Sequence, residues 1–171
     1  MPVGRYVTRR LLLGATAGAA ATTALNATTY LDMAVRGRPA SSTPEQTVEK
    51  MAGSLDVPVP GDDSTRGNRL SGIGALLGLV TGVGTGIGYG VLDMLHLRPR
   101  GLTGALLVGG GAMAASNGSM VAYGVTDPRT WDAAAWVSDL VPHAVFGAAL
   151  VGAYSLADGS RGRAGGLRRA R

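Results

Sequence analysis

The sequence predicts an all-α polytopic membrane protein: a four-helix transmembrane bundle with a short amphipathic helix in its first loop. Three observations carry this expectation. Gly74, Gly78, Gly82, Gly86 and Gly90 recur at every fourth residue within the run LSGIGALLGLVTGVGTGIGYGVLDMLHL. In a soluble helix each interior glycine costs about 1 kcal/mol relative to alanine. In lipid the helix satisfies its own backbone, and glycine lets a second backbone approach closely. Charged residues make up only 16% of the chain, against about 25% in a soluble domain. Finally, four stretches approach the roughly 20 residues a membrane span requires.

The elements follow in order. Residues 1–10 form a basic amino end. The first span runs from Leu11 to about Val35 and is diluted by Thr16, Thr22, Thr23, Asn26, Thr28, Thr29 and Asp32. Thr8-Arg9-Arg10-Leu11-Leu12-Leu13 is similar to a twin-arginine export signal, with Ala19-Ala20-Ala21 offering small residues for cleavage. The apolar run continues to about Val35, which favours an uncleaved span. The loop over residues 36–69 opens a helix at Thr43 as N-cap, with Pro44 at the first helical position and Gln46 closing a capping box. Val48, Met51, Ala52 and Leu55 then lie on one face, and Gly53 can end the helix. Such a helix lies on the membrane surface or caps the bundle. Val57-Pro58-Val59-Pro60-Gly61-Asp62-Asp63 reads as an extended linker. The second span covers about 70–95, the third about 102–125 and the fourth about 133–157. Arg98-Pro99-Arg100-Gly101 turns the chain between the second and third, and Thr126-Asp127-Pro128 ends the third. From Gly159 the basic tail, residues 159–171, reads as disordered and held near anionic headgroups.

Arginine outnumbers the single Lys50 fifteen to one (16 basic residues less one), in a chain with 28 glycines. This is the composition of a high-GC bacterial genome. Cysteine is absent, which excludes disulfides and thiolate chemistry. The pI near 10.2 reflects positive flanks of spans, with no aromatic interleaving of the kind nucleic acid requires. Under the positive-inside rule, ten of the 16 basic residues lie on one side when both termini are cytoplasmic, placing residues 36–69 outside a bacterial cell membrane. The partners implied are the lipid bilayer and a homo-oligomeric or membrane-protein neighbour. No cofactor, metal or catalytic residue is implied.

Polar residues within spans are the functional clues, because placing them in lipid is expensive. Asp32, Asn117, Asp139 and His143 all fall in the outer halves of their spans. Asp139 and His143 are four apart and share a helix face, and Pro142 between them removes one backbone donor. A polar network that orients helices is the favoured reading. Proton or ion handling comes second, since histidine titrates near neutral pH. Metal binding comes last, because no Glu-x-x-His pair exists. Asp93 and His96 lie about 20 Å away near the other surface, as a separate interfacial pair.

Gly86-Ile87-Gly88-Tyr89-Gly90 has the outline of a potassium filter, but Gly86 replaces the essential threonine and no pore helix precedes it. No dinucleotide fingerprint, Walker A run or nucleophile elbow occurs. The segments Leu25 to Met33 and Arg36 to Glu45 resemble a group of uncharacterised four-span bacterial membrane proteins. The glycine-rich second span and the fourth span with Asp139, His143 and Gly147 loosely resemble the YagU-like inner-membrane family. The likeness covers roughly residues 11–157. It implies an inner-membrane helical protein of unknown activity, the YagU-like likeness alone hinting at a stress or acid-response role, and it carries over no catalytic residues.

Overall fold

A computed structural model describes residues 3–169, with side chains described for residues 3–159. It is all-α, with no strand among the described residues. Helix α1 spans Val3–Arg36, α2 Thr43–Ser54, α3 Asp63–Met94, α4 Gly101–Ala122 and α5 Ala133–Arg169. A short 3₁₀ turn, Pro128–Thr130, sits between α4 and α5. Residues 1, 2, 170 and 171 and the side chains beyond Gly159 lie outside the described residues; over the expected disordered tail, 159–171, the described backbone continues α5 as far as Arg169.

The long helices stand in a row, α3–α1–α5–α4, each antiparallel to its neighbour, and α2 lies against α3. The register follows from small residues. A Cβ built at Gly18 of α1 would stand 2.5 Å from the Gly82 carbonyl oxygen of α3, and one at Gly14 would meet the Gly86 carbonyl. Between α4 and α5, a Cβ at Gly147 would stand 2.7 Å from the Gly109 nitrogen. Only glycine permits such approach. The core is correspondingly built of small residues, Ala17 and Ala21, packed around Tyr89, Phe146, Leu150 and Tyr154. Large apolar side chains such as Leu76, Val80, Leu106, Leu107 and Leu140 point outward and are exposed. An apolar surface of this kind suits lipid and not water.

Three helices are long and apolar enough to cross a membrane: α3, α4 and the Ala133–Gly159 part of α5. By the same measure α1, which holds the expected first span from Leu11 to about Val35, is not among them. The threonines, Asn26 and Asp32 lower the apolar content of α1 below that of a self-evident span, yet α1 occupies the centre of the row. Four of the threonine hydroxyls along it are satisfied within the helix. Thr16 donates to the Leu12 carbonyl (2.8 Å), Thr22 to Gly18 (2.9 Å), Thr23 to Ala19 (3.0 Å) and Thr28 to Ala24 (2.8 Å). Each hydroxyl therefore presents little unmet hydrogen-bonding demand to its surroundings.

Helix ends differ in detail from the expectation. Ser42, not Thr43, is the N-cap of α2. Gln46 donates to the Ser42 hydroxyl (2.9 Å) instead of closing a box with Thr43. Gly53 lies inside α2. The left-handed residue that stops the helix is Asp56, at φ 53°. His96 stops α3 in the same way at φ 59°, with Leu97 N–H donating to the Leu92 carbonyl (2.9 Å) and His96 N–H to Asp93 (3.2 Å). This is the Schellman arrangement, in which glycine is usual. α4 closes identically, with Gly124 in the left-handed position. At the start of α3 the Asp62 carboxylate accepts from Thr65 N–H (2.8 Å).

Candidate functional site

Two polar layers lie at opposite ends of the bundle, with the apolar core between them. The first joins α1, α3, the α3–α4 turn and α5. Arg10 Nη1 of α1 stands 2.7 Å from Asp93 Oδ2 of α3 and 2.8 Å from Asp158 Oδ1 of α5. Arg9 Nη2 also reaches Asp158 Oδ1 at 2.8 Å. Arg98 Nε lies 3.1 Å from Asp93 Oδ1. Tyr154 donates to Asp93 Oδ2 (3.0 Å) and Tyr89 to the Pro99 carbonyl (2.6 Å). The two tyrosine rings meet edge to face, with centroids 5.2 Å apart, and Arg98 lies 4.8 Å from the Tyr154 ring centroid.

Both Asp93 and Arg98 keep only 8% of their side-chain surface exposed. The N–H directions of Arg10 Nη1 and Arg98 Nε miss the carboxylates. Those contacts are therefore ionic attractions and not aligned hydrogen bonds. Three arginines face two aspartates, so the layer keeps one net positive charge.

Sequence reading missed Arg9, Arg10, Arg98, Tyr154 and Asp158 as one constellation. The available signal was depth, because all five fall at the same end of the bundle, four on helices and Arg98 in the α3–α4 turn. Asp93 and His96 do not form the pair expected of them. Asp93 is buried among arginines, while His96 is exposed and serves as the helix stop. Their spacing of three places them on neighbouring parts of a helix face only while the helix continues, and it ends at Met94.

The second layer holds the residues singled out by sequence. Asn117 Nδ2 of α4 donates to Asp139 Oδ2 of α5 (2.7 Å). His143 Nδ1 lies 2.8 Å from the Asp139 carbonyl and 3.2 Å from its Oδ1. A carbonyl only accepts, so this nitrogen carries the proton. Asn117 is 8% exposed, and its Oδ1 is buried without a hydrogen-bond partner.

Asp32 does not join these three. It pairs with Arg36 (3.3 Å) and Arg38 (2.5 Å) beyond the end of α1. Its link to α5 is the Ser138 hydroxyl at 3.4 Å. The adjacent arginines satisfy Asp32 locally, and successive residues 138 and 139 point to different faces of α5. Among the described residues, no group of three His, Cys, Asp or Glu side chains is placed to hold a metal ion.

Of the five α3 glycines at the fourfold spacing, Gly82, Gly86 and Gly90 meet α1 at Thr22, Gly14 and Arg10, while Gly74 meets Pro44 of α2. Gly78 meets nothing within 4 Å. It falls where α3 passes from one neighbour to the other, and it makes no close contact within the single chain. Gly109 and Gly147 form a second close-packed seam that the fourfold spacing on α3 does not reveal.

These features define a helical bundle with the apolar exterior of a membrane protein, closed by ion pairs at one end and a hydrogen-bonded triad at the other. No family model matches the chain, and neither does any curated protein or solved structure.

Proposed function

We propose that the chain is a structural, partner-binding membrane bundle in which α1 crosses as a fourth helix. The observation that carries this reading is the pairing of α1 at both ends. Arg10 meets Asp93 and Asp158 at one end, and Arg36, beside Asp32, donates to Ser138 of α5 (2.8 Å) at the other. Arg10 and Asp32 are separated by 22 residues, about 33 Å of helix, which matches a hydrocarbon core of about 30 Å. Positive-inside counting then puts both termini in the cytoplasm of a bacterial cell and the loop containing α2 outside.

The charged groups within the bundle are paired with one another, and an apolar core separates the layers. That arrangement favours a scaffold over a conduit. Single cysteines at Gly4, Ser41 and Ser64, probed with an impermeant thiol reagent in intact cells, test the topology. Labelling at Ser41 and Ser64 but not at Gly4 is expected. Labelling at all three would remove α1 from the membrane. Purified protein in vesicles loaded with a pH dye is expected to leave a proton gradient as tight as empty vesicles do.

A second reading, proton or ion handling, is favoured by one observation: the unpartnered Asn117 oxygen beside Asp139 and His143. A proton leak removed by His143→Gln would replace the scaffold reading with this one.

A further inference from the structure

Between α3 and α4 runs a groove of about 460 Å³. The row order leaves it open, because α3 packs on α1 and α4 on α5, while α3 and α4 scarcely touch. Its walls are apolar and small: Gly88 and Leu92 on one side, Gly111 and Ala115 on the other, with Leu97 and Pro99 closing the end at the turn. A Cβ at Gly88 or Gly111 would meet nothing within 4 Å, so these glycines are not used to bring helices together. From Met94 at the end of α3 back to Thr85 is about 14 Å of helix, close to half of the roughly 30 Å hydrocarbon thickness. The groove therefore has the depth of one leaflet.

Its mouth is positive. Arg100 is exposed next to Pro99 and lies within electrostatic reach of the Tyr89 phenol that lines the groove. Behind it, the layer of Arg9, Arg10 and Arg98 exceeds Asp93 and Asp158 by one positive charge.

We infer that this groove binds an anionic phospholipid, one acyl chain lying between α3 and α4 and the phosphate held at Arg100. A second copy of the chain fits less well. A two-fold axis along the membrane normal sets the same patch of each copy against the other. It would place groove against groove, with no ridge to fill either, and Arg100 against Arg100. The inference rests on the membrane-embedded reading above.

Native mass spectrometry of the full-length protein, released from nanodiscs of equal phosphatidylglycerol and phosphatidylcholine with the same acyl chains, tests it. One phosphatidylglycerol retained in preference to phosphatidylcholine is expected. Arg100→Gln should lower that preference about fivefold, the equivalent of about 1 kcal/mol for one arginine near an anionic surface. Gly111→Leu should fill the groove and abolish retention of both lipids while the protein stays in the nanodisc. Equal retention of the two lipids would overturn the inference, as would retention unchanged in Gly111→Leu, or a lipid-free dimer. Failure of the parent protein to enter nanodiscs at all would instead refute the membrane reading itself.

Discussion

The two polar layers differ in reach. The Asn117–Asp139–His143 layer joins two neighbouring helices, and two of its three members sit four residues apart on α5. The Arg10–Asp93–Arg98–Asp158 layer joins three helices and a turn, with partners as much as 149 residues apart in the chain. The first is hydrogen-bonded around a single carboxylate, Asp139. The second is ionic, buried and charged overall. A network drawn from distant parts of the chain can define the whole arrangement of helices, whereas a local one orients only its own pair. The arginine layer should therefore control whether the bundle forms, and the triad how well α4 sits on α5.

Removing one charge from the arginine layer should have the largest effect. Asp93→Asn leaves Arg10 and Arg98 buried without their shared counter-ion, at a cost of about 3–5 kcal/mol. Loss of the folded form in denaturant titration in mild detergent is the readout. An Asp139→Asn variant that is equally damaged would erase the distinction between the layers. Next in size is Gly86→Leu, which drives a side chain into the Gly14 and Gly18 backbone and should cost at least about 1–3 kcal/mol. Gly78→Leu serves as its control and should be tolerated, since a Cβ there meets nothing within 4 Å. Equal destabilisation of the two variants would contradict the α1–α3 register that places Arg10 beside Asp93.

Asn117→Ala should cost less, on the order of 0.6 kcal/mol and at most about 1.7, the range of hydrogen bonds between membrane helices. Hydrogen exchange should rise along the α4–α5 seam and not along α1.

The smallest effect lies outside both layers. The Asp62 carboxyl is held below the usual carboxylate range, chiefly by the hydrogen bond it accepts from the Thr65 N–H. A depressed carboxyl contributes stability above its unfolded pKa and loses it as pH falls through the lower folded value. The first turn of α3 should therefore exchange faster below about pH 4, and Asp62→Ala should show that fast exchange already at neutral pH. A wild-type turn indifferent to acid would rule out the capping role.

What was legible in the sequence was local. The fourfold glycine period on α3 announces a packing face because a helix repeats that spacing on one side. Asp139 and His143 are brought together by the same geometry. Partners separated by most of the chain are not announced: nothing near Asp93 points to Arg10. The nature of α1 was obscured for a different reason. Counting threonines as polar dilutes its apolar character, while the structure shows most of their hydroxyls bonded to the preceding turn. The start of α2 moved by one residue because Ser42 and Thr43 are both good caps, and Gln46 reaches Ser42. His96 looked like chemistry and proved to be a helix stop, since its left-handed backbone is visible only once the turn at residues 95–100 is built.

The salt bridges from Arg9 and Arg10 to Asp158 also set an order of assembly. The ribosome makes the arginines of α1 well before their aspartate on α5. Until α5 is made, Arg9 lacks its counter-ion, Arg10 lacks one of its two, and α1 lacks the neighbour that packs its second face. A chain truncated before Asp158 thus presents an incompletely neutralised, half-covered helix to the quality-control proteases of the membrane. Completion of α5 is in this way read out by the ion pairs that join it to α1.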